Sequence, residues 1–347
     1  MTELRFAIIG CGRIAERHAE HIEKLAKLVA VCDTKEDRRK LFAEKHGCKT
    51  YQDIDELLQN EKNIDLIAIC SPNGLHAEHT IKALRAGINV LCEKPMAINV
   101  ADCQLMINEA KKAGKHLFIV KQNRFNAPIL ALKTVIDEGR LGKIINVQLN
   151  CFWNRNDKYY ESSDWKGQKS LDGGTLYTQF SHFIDLLYWM VGDIKKYNAM
   201  TKNFLHQHNV EFDDTGVIIM EFENGALGSV NYTVNSYDKN MEGSITVFGE
   251  KGTVKVGGQY LNVLEHQSIK DYVMNVPVET KPANDYGFYQ GSMSNHDRVY
   301  ENIVDVLTNN GRVATNGFEG LKTVEIIENI YNLAQINAKT SAQVNAQ

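Results

Sequence analysis

An α/β fold in two parts is predicted for this chain of 347 residues: a doubly wound parallel sheet, then a second α/β domain built on a mostly antiparallel sheet. Three observations carry the prediction. Short apolar runs alternate with amphipathic stretches of helical length over residues 4–120, a glycine-rich turn follows the first run, and after residue 122 the pattern changes to alternating strands joined by hairpin turns. The expected domains are therefore 1–122 and 123–347.

The runs at residues 6–9, 28–32, 66–70, 89–92 and 116–120 are apolar throughout, as strands are when helices cover both faces of their sheet. A helix is expected over 128–138, with Pro128 at its start and Gly139 just past its end, then a strand over 144–152. Residues 153–173 are rich in aromatic, polar and charged side chains, and an irregular segment of that length inside a compact domain points to function. A helix over 176–190 follows. Asn224-Gly225 carries a hairpin signal, and Gly249-Glu250-Lys251-Gly252 separates strands over 245–248 and 253–256. Helices over 295–308 and 318–334 are expected to pack back on the first domain, and the small, polar tail after Ala338 to fray.

The chain is 43% hydrophobic and 24% charged, which excludes disorder and allows two sizeable cores. A net charge of −4 without a block of like charges argues against nucleic acid or a membrane surface as partner. Seven cysteines form an odd set without CxxC spacing, consistent with a reducing cytoplasm. The first residues run straight into a strand pattern, and no apolar stretch reaches the roughly eighteen residues that span a bilayer. No metal-ligand pattern emerges: His206 and His208 lack nearby cysteines and read as a polar loop.

Gly10-Cys11-Gly12-Arg13-Ile14-Ala15 is a G-x-G-x-x-A loop that follows an apolar strand and opens a helix. Gly10 makes the tight turn, Gly12 admits the pyrophosphate to the backbone, and Ala15 allows close helix packing, while the helix amino terminus supplies amide donors. Asp33 ends the second strand, where a carboxylate accepts the adenosine ribose hydroxyls. It would repel a 2′-phosphate, which favours NAD over NADP, although Arg38 and Arg39 stand nearby. Ser71, Pro72 and Asn73 follow another strand and are expected on the nicotinamide side; His76 is either a cofactor contact or a helix-start residue. Lys94 lies just beyond the strand over 89–92, where ligands of open α/β sheets gather. It is either a proton-handling group or a solvated charge.

The combination of Gly10-Cys11-Gly12, Ser71-Pro72-Asn73-Gly74-Leu75-His76 and Glu93-Lys94-Pro95 resembles the Gfo/Idh/MocA oxidoreductases. The resemblance implies an amino-terminal Rossmann domain, a carboxyl-terminal α/β domain with a large open sheet, and homodimers or homotetramers built through that sheet. A narrower likeness rests on Lys121-Gln122-Asn123-Arg124-Phe125-Asn126, Trp153-Asn154-Arg155, Tyr159-Tyr160, Trp165-Lys166-Gly167, Asp172-Gly173-Gly174, Gln179 and His182-Phe183-Ile184-Asp185. It looks like the UDP-N-acetyl-D-glucosaminuronate 3-dehydrogenases of bacterial surface-polysaccharide (lipopolysaccharide, O-antigen) pathways. The function so implied is NAD-dependent oxidation of the sugar 3-hydroxyl, with 2-oxoglutarate permitted as a second substrate that reoxidises NADH in place.

Oxidising a secondary alcohol requires a hydride acceptor, a base and groups that orient the reacting carbon. NAD is the acceptor, and Lys94 and His182 are the candidate proton handlers, with the primary base left open between them. Burial and a positive nicotinamide ring would both depress a lysine pKa, and histidine titrates near neutrality. Asp185, one turn beyond His182, either orients the imidazole or faces a neighbour. Cofactor contacts are expected from the loop 10–15, Asp33, Ser71, Pro72, Asn73, His76, Glu93, Lys94 and Gln122. Substrate contacts are expected from Lys94, Asn123, Arg124, Arg155, Tyr160, Lys166, Thr178, Ser181, His182 and Arg298. The wider family commonly has an aspartate four residues before that histidine, where this chain has Thr178, which disfavours simple polyols. A pyrophosphate and a uronate need cations, and Lys121, Arg124, Arg155, Lys158 and Lys166 can provide them. Tyr159, Tyr160 and Trp165 either close the site or form a small satellite core; Arg298 and Asn295 open a late helix that could reach the same substrate. Two other functions remain: a different NAD(H)-dependent sugar or polyol dehydrogenase, and a catalytically silent NAD-dependent sensor. The intact Glu93-Lys94-Pro95 motif and His182 argue against the sensor.

Overall fold

The computed structural model describes residues 3–277, 283–287 and 289–344, with side chains described as far as residue 338. Its contacts divide the chain into two compact units. One comprises Met1–Lys121, Ser170–Asp172 and His296–Val324, the other Gln122–Lys169, Gly173–Asn295 and Glu325–Gln347.

In the first unit, β1 (Arg5–Ile9), α1 (Arg13–Leu25), β2 (Lys27–Cys32), α2 (Glu36–His46), β3 (Lys49–Tyr51), α3 (Ile54–Asn60) and β4 (Leu66–Ile69) alternate. They are followed by α4 (His76–Arg85), β5 (Asn89–Cys92), α5 (Val100–Ala113) and β6 (Leu117–Ile119). The six strands lie in the order β3-β2-β1-β4-β5-β6, all parallel. Strand order reverses beside β1, so the carboxyl ends of β1 and β4 flank the crevice where doubly wound sheets bind their ligands. Phe6, Ala7, Ile8, Leu66, Ile67, Ala68, Val90 and Leu91 are fully buried, as the continuous apolar runs require. On α1, Ala15, His18, Ala19 and Ile22 form the buried stripe at helical spacing.

The second unit begins with α6 (Ala127–Asp137) and β7 (Ile144–Phe152). The segment over 153–173 is less irregular than its composition suggests: it holds two short helices, α7 (Asp157–Glu161) and α8 (Lys169–Asp172), and Ser170–Asp172 joins the first unit. Asn156 starts α7 by accepting the Tyr159 amide, an N-cap within what reads as loop. The helix expected over 176–190 is divided into α9 (Thr175–Thr178) and α10 (Ser181–Val191). At the break, the Gln179 side chain turns to the Arg155 guanidinium and the Tyr159 hydroxyl, both at 2.7 Å.

β8 (Ile194–Lys202), β9 (Thr215–Phe222), β10 (Leu227–Thr233), β11 (Glu242–Gly249), β12 (Gly252–Gly257) and β13 (Val263–Ile269) complete a seven-stranded sheet ordered β13-β12-β11-β7-β10-β9-β8. Only the β7–β10 pair is parallel. One face buries Val147, Leu149, Ile218, Phe222, Val230 and Tyr232, with Trp153, Phe180 and Phe183 packed ring against ring. The other face exposes Met200, Val217, Ile219 and Leu227 among polar residues. A small pair, β14 (Ala283–Asp285) and β15 (Gln290–Met293), precedes α11 (His296–Asn309) and α12 (Gly317–Val344). α12 runs ten residues beyond its expected end, because the tail contains neither glycine nor proline and small, polar side chains alone do not stop a helix. Among the described residues no helix is long and apolar enough to cross a membrane.

Asp213 lies buried in the second unit, where it accepts the Tyr232 hydroxyl at 2.5 Å. Burial pushes its carboxyl up to about 7, against the hydrogen bonds from Tyr232 and Tyr331, which favour the ionised form. The raised pKa contributes stability that is fully present below about 4 and is lost as pH rises through about 7. Asp213→Asn is therefore expected to flatten the fall in urea midpoint between pH 5 and pH 8, a difference on the order of a few kcal/mol. Equal slopes for the two proteins would assign the carboxyl an ordinary pKa.

Candidate active site

The first unit frames a dinucleotide. Gly10 has φ +94°, and a Cβ there would lie 2.7 Å from the Cys70 carbonyl carbon and 2.8 Å from Ser71 N, so the turn must be glycine for the fold itself. A Cβ on Gly12 would meet nothing within 4 Å. The protein does not require that glycine, whereas a pyrophosphate approaching the amino terminus of α1 does, and no side chain caps that terminus. Asp33 accepts Cys11 N through one carboxylate oxygen and Lys35 N through the other, both at 2.8 Å, which holds it at the end of β2. Arg39 donates to the Asp33 carbonyl, while Arg38 stands 4.0 Å from the carboxylate.

Beyond β4, Ser71 accepts or shares a proton with His79 at 2.9 Å, and the buried Asn73 amide donates to the Asp172 carbonyl at 2.8 Å. His76 is 1% exposed, with Nδ1 2.7 Å from the Pro95 carbonyl and Nε2 2.9 Å from the Ser71 carbonyl. Both ring nitrogens face protein carbonyls, which agrees with the helix-start alternative for His76. Lys94 is partly buried just past β5, and its amide donates to Glu93 Oε2 at 3.0 Å. The Glu93 carboxylate also receives His18 Nε2 at 2.9 Å and His296 Nε2 at 3.2 Å. Burial alone would raise the Glu93 pKa, but the two imidazole hydrogen bonds outweigh it and hold the carboxyl well below its usual range. Lys121, expected in a cationic pocket, is buried and donates to Thr323 Oγ1 at 2.8 Å. Arg298 is largely exposed on α11 and pairs with Glu301 at 3.0 Å.

In the second unit, Gln122 and His182 meet: the amide nitrogen of Gln122 lies 3.1 Å from His182 Nε2 and donates to Ser292 Oγ at 3.0 Å. Gln122 Oε1, both polar ends of the Asn123 amide and the Ser181 hydroxyl are buried without a partner among the described residues. Buried polar atoms are rarely left unpaired, so these three side chains, adjacent in sequence or bonded to His182, fit a polar ligand. Arg124 does not belong to that set. Its guanidinium makes two 2.8 Å hydrogen bonds to Asp185 and stacks over Trp189, so its charge is already neutralised, and Asp185 faces Arg124.

Arg155 is 2% exposed and has no carboxylate partner among the described residues. It donates to Gln179, Asn154 O, Asn240 and Gln290 O, with Trp153, Tyr159 and Tyr289 around it. Lys166 Nζ sits 3.8 Å from the Tyr159 ring centre. Tyr159 and Tyr160 pack with Val210 as a satellite core, Lys158 is exposed, and Thr178 is partly buried. Asn295 is tied to Asn126 at 2.8 Å. His206 is buried against Asp214 and Tyr160, and His208 pairs with Asp157.

His18, His296 and Tyr300 escaped the sequence reading. The signal for His18 is a polar residue inside the apolar stripe of α1; His296 and Tyr300 give none, because their partners, Glu93 and His18, lie 203 and 282 residues earlier.

Two family matches cover most of the chain: residues 4–121 match the oxidoreductase family with an NAD-binding Rossmann fold, and residues 129–255 the GFO/IDH/MocA C-terminal domain. Among curated proteins, the myo-inositol 2-dehydrogenase of Thermotoga maritima is 31% identical over 260 residues, 72% of this chain and 74% of that protein. Among solved structures, the WlbA dehydrogenase of Chromobacterium violaceum, in complex with NADH and UDP-GlcNAcA, superposes with a TM-score of 0.87 at 34% identity, covering 97% of this chain and 96% of that one. The Bordetella pertussis WlbA dehydrogenase, with the same two ligands, gives 0.86 at 33% identity, covering 96% and 97%.

The contrast between the two loop glycines is testable by calorimetric titration with NAD. Gly12→Ala is expected to fold with an unchanged melting temperature yet lose NAD affinity about tenfold or more, whereas Gly10→Ala should lose stability as well, because its Cβ collides with backbone. Unimpaired NAD binding by Gly12→Ala would place the pyrophosphate elsewhere.

Proposed function

Because the chain belongs to the Gfo/Idh/MocA family, as an NAD-dependent oxidoreductase of sugars or polyols, we propose that it oxidises the 3-hydroxyl of UDP-N-acetylglucosaminuronate to the 3-keto sugar. The supporting observation is the likeness to two dehydrogenases bound to UDP-GlcNAcA, which spans nearly the whole chain at 33–34% identity. The inositol dehydrogenase relative is matched over a smaller share. Thr178 agrees with the nucleotide-sugar reading, since it offers no carboxylate base where polyol-oxidising relatives commonly have one. On this reading the enzyme works in the cytoplasm, in the supply of sugars for a surface polysaccharide, and a second copy of the chain covers the apolar outer face of its open sheet.

Bound NAD supplies the hydride acceptor. Lys94 and His182 handle the hydroxyl proton. The Gln122 amide holds the His182 ring, with Nε2 as acceptor, so the orientation of the imidazole is set before substrate arrives. Asn123, Ser181 and the free oxygen of Gln122 are donors and acceptors for sugar hydroxyl and acetamido groups. Arg155 and Lys166 are the proposed cations for a pyrophosphate or uronate, while Arg124 and Arg298 are paired with acids.

With NAD and UDP-N-acetylglucosaminuronate the protein is expected to form a 3-keto product, detectable by mass spectrometry. Faster oxidation of myo-inositol would move the assignment to the polyol dehydrogenases. Lys94→Ala should lower kcat about 100-fold or more with NAD affinity retained. His182→Asn should lose less but alter the pH-rate profile; an unchanged profile would remove His182 from proton transfer.

A further inference from the structure

Imidazoles that lie outside the Glu93-Lys94-Pro95 turn fasten it on both sides of its lysine. On the preceding side, Glu93 Oε1 receives His18 and His296 while Oε2 receives the Lys94 amide. A carboxylate only accepts, so both Nε2 atoms donate, and His18 Nδ1 is left to accept the Tyr300 hydroxyl at 2.7 Å. On the following side, His76 Nδ1 donates to the Pro95 carbonyl at 2.7 Å, the shorter of its two contacts, while Nε2 lies 2.9 Å from the Ser71 carbonyl; a ring with one N–H donates to one of the two. The three imidazoles and the Glu93 carboxylate are all at least 95% buried.

His18, Glu93 and His296 also have the spacing of a cation site, with one ligand atom from each lying within 4.8 Å of the others. The hydrogen-bond pattern accounts for the spacing without an ion, since His18 has both ring nitrogens satisfied by protein groups. What the pattern does not explain is why a strand-end lysine needs such a frame. A lysine carries four rotatable carbons, and its ammonium can hold a position only if its backbone root does. Fixing the residue before and the residue after Lys94 restricts that root.

We propose that His76 and the His18–Glu93–His296 group are positioning residues that set the backbone of Lys94 for proton transfer. The proposal rests on Lys94 handling the substrate proton. Its mechanism is preorganisation: a displacement of about 1 Å at a reacting group costs up to about 100-fold in rate, so loosening the root lowers turnover without removing a chemical group.

The test is a double-mutant cycle on kcat, with NAD affinity and melting temperature measured in parallel. His76→Ala is expected to lower kcat about tenfold or more while NAD affinity stays within about twofold, and His76→Ala with Lys94→Ala should be no slower than Lys94→Ala alone. If His76→Ala does not fold, His296→Asn, which retains a donor, runs the same cycle. Normal kcat in the single variant overturns the proposal. So does an equal loss with and without Lys94, which would mean a general structural role and leave the proton-handling reading of Lys94 intact. Normal turnover of Lys94→Ala itself would remove both.

Discussion

A buried carboxylate, Glu93, is the constraint on which the first unit turns. A charge with 5% exposure must be met by donors where it lies, because breaking a buried pair typically costs about 3–5 kcal/mol. Its donors come from three places: His18 on α1, His296 at the start of α11, and the backbone of Lys94. The helix that follows the glycine-rich turn, the end of β5 and a helix 203 residues after Glu93 are thereby pinned at one point. His18 stays a good donor and acceptor as a neutral ring, since burial pushes its pKa down although Glu93 favours the charged form. Removing the Glu93 carboxylate would leave the His18 and His296 N–H groups without their acceptor.

The second unit is organised by a different distinction, between polar groups that are already satisfied and polar groups that are not. Arg124 and Asp185 form a closed, buried, bidentate pair that orders α10 against the chain that opens this unit. Such a pair is complete in itself and has nothing to offer a ligand. Gln122, Asn123 and Ser181 are the reverse case: buried, yet with atoms that have no partner among the described residues. Folded proteins keep such atoms where something else will meet them. His182 belongs with these residues through Gln122, although it lies on the same helix as Asp185.

The architecture was largely legible in one dimension. Continuous apolar runs announced the parallel sheet because burial on both faces leaves no polar side of the strand to alternate with. Hairpin glycines announced β9–β10 and β11–β12 for an equally local reason. The division of the 176–190 helix was not legible, since Gln179 and Phe180 do not break helices by propensity; the break serves the hydrogen bonds that Gln179 makes to Arg155 and Tyr159. The extent of α12 was not legible either, since a small, polar stretch without glycine or proline carries no local signal for a helix end.

The sequence alone singles out the glycine loop, the strand-end lysine and the histidine as candidates, because each is defined by its neighbours: glycines at fixed offsets, a charge after an apolar run, a polar residue on an apolar helix. Tertiary structure alone decided which charges are available. Arg124, Arg298 and Lys121 look alike in sequence until their partners Asp185, Glu301 and Thr323 are seen, and His76 until the Ser71 and Pro95 carbonyls are. The reason is physical. A side chain's chemistry follows from its type, but whether its hydrogen bonds are already made depends on groups that only folding brings within about 3 Å.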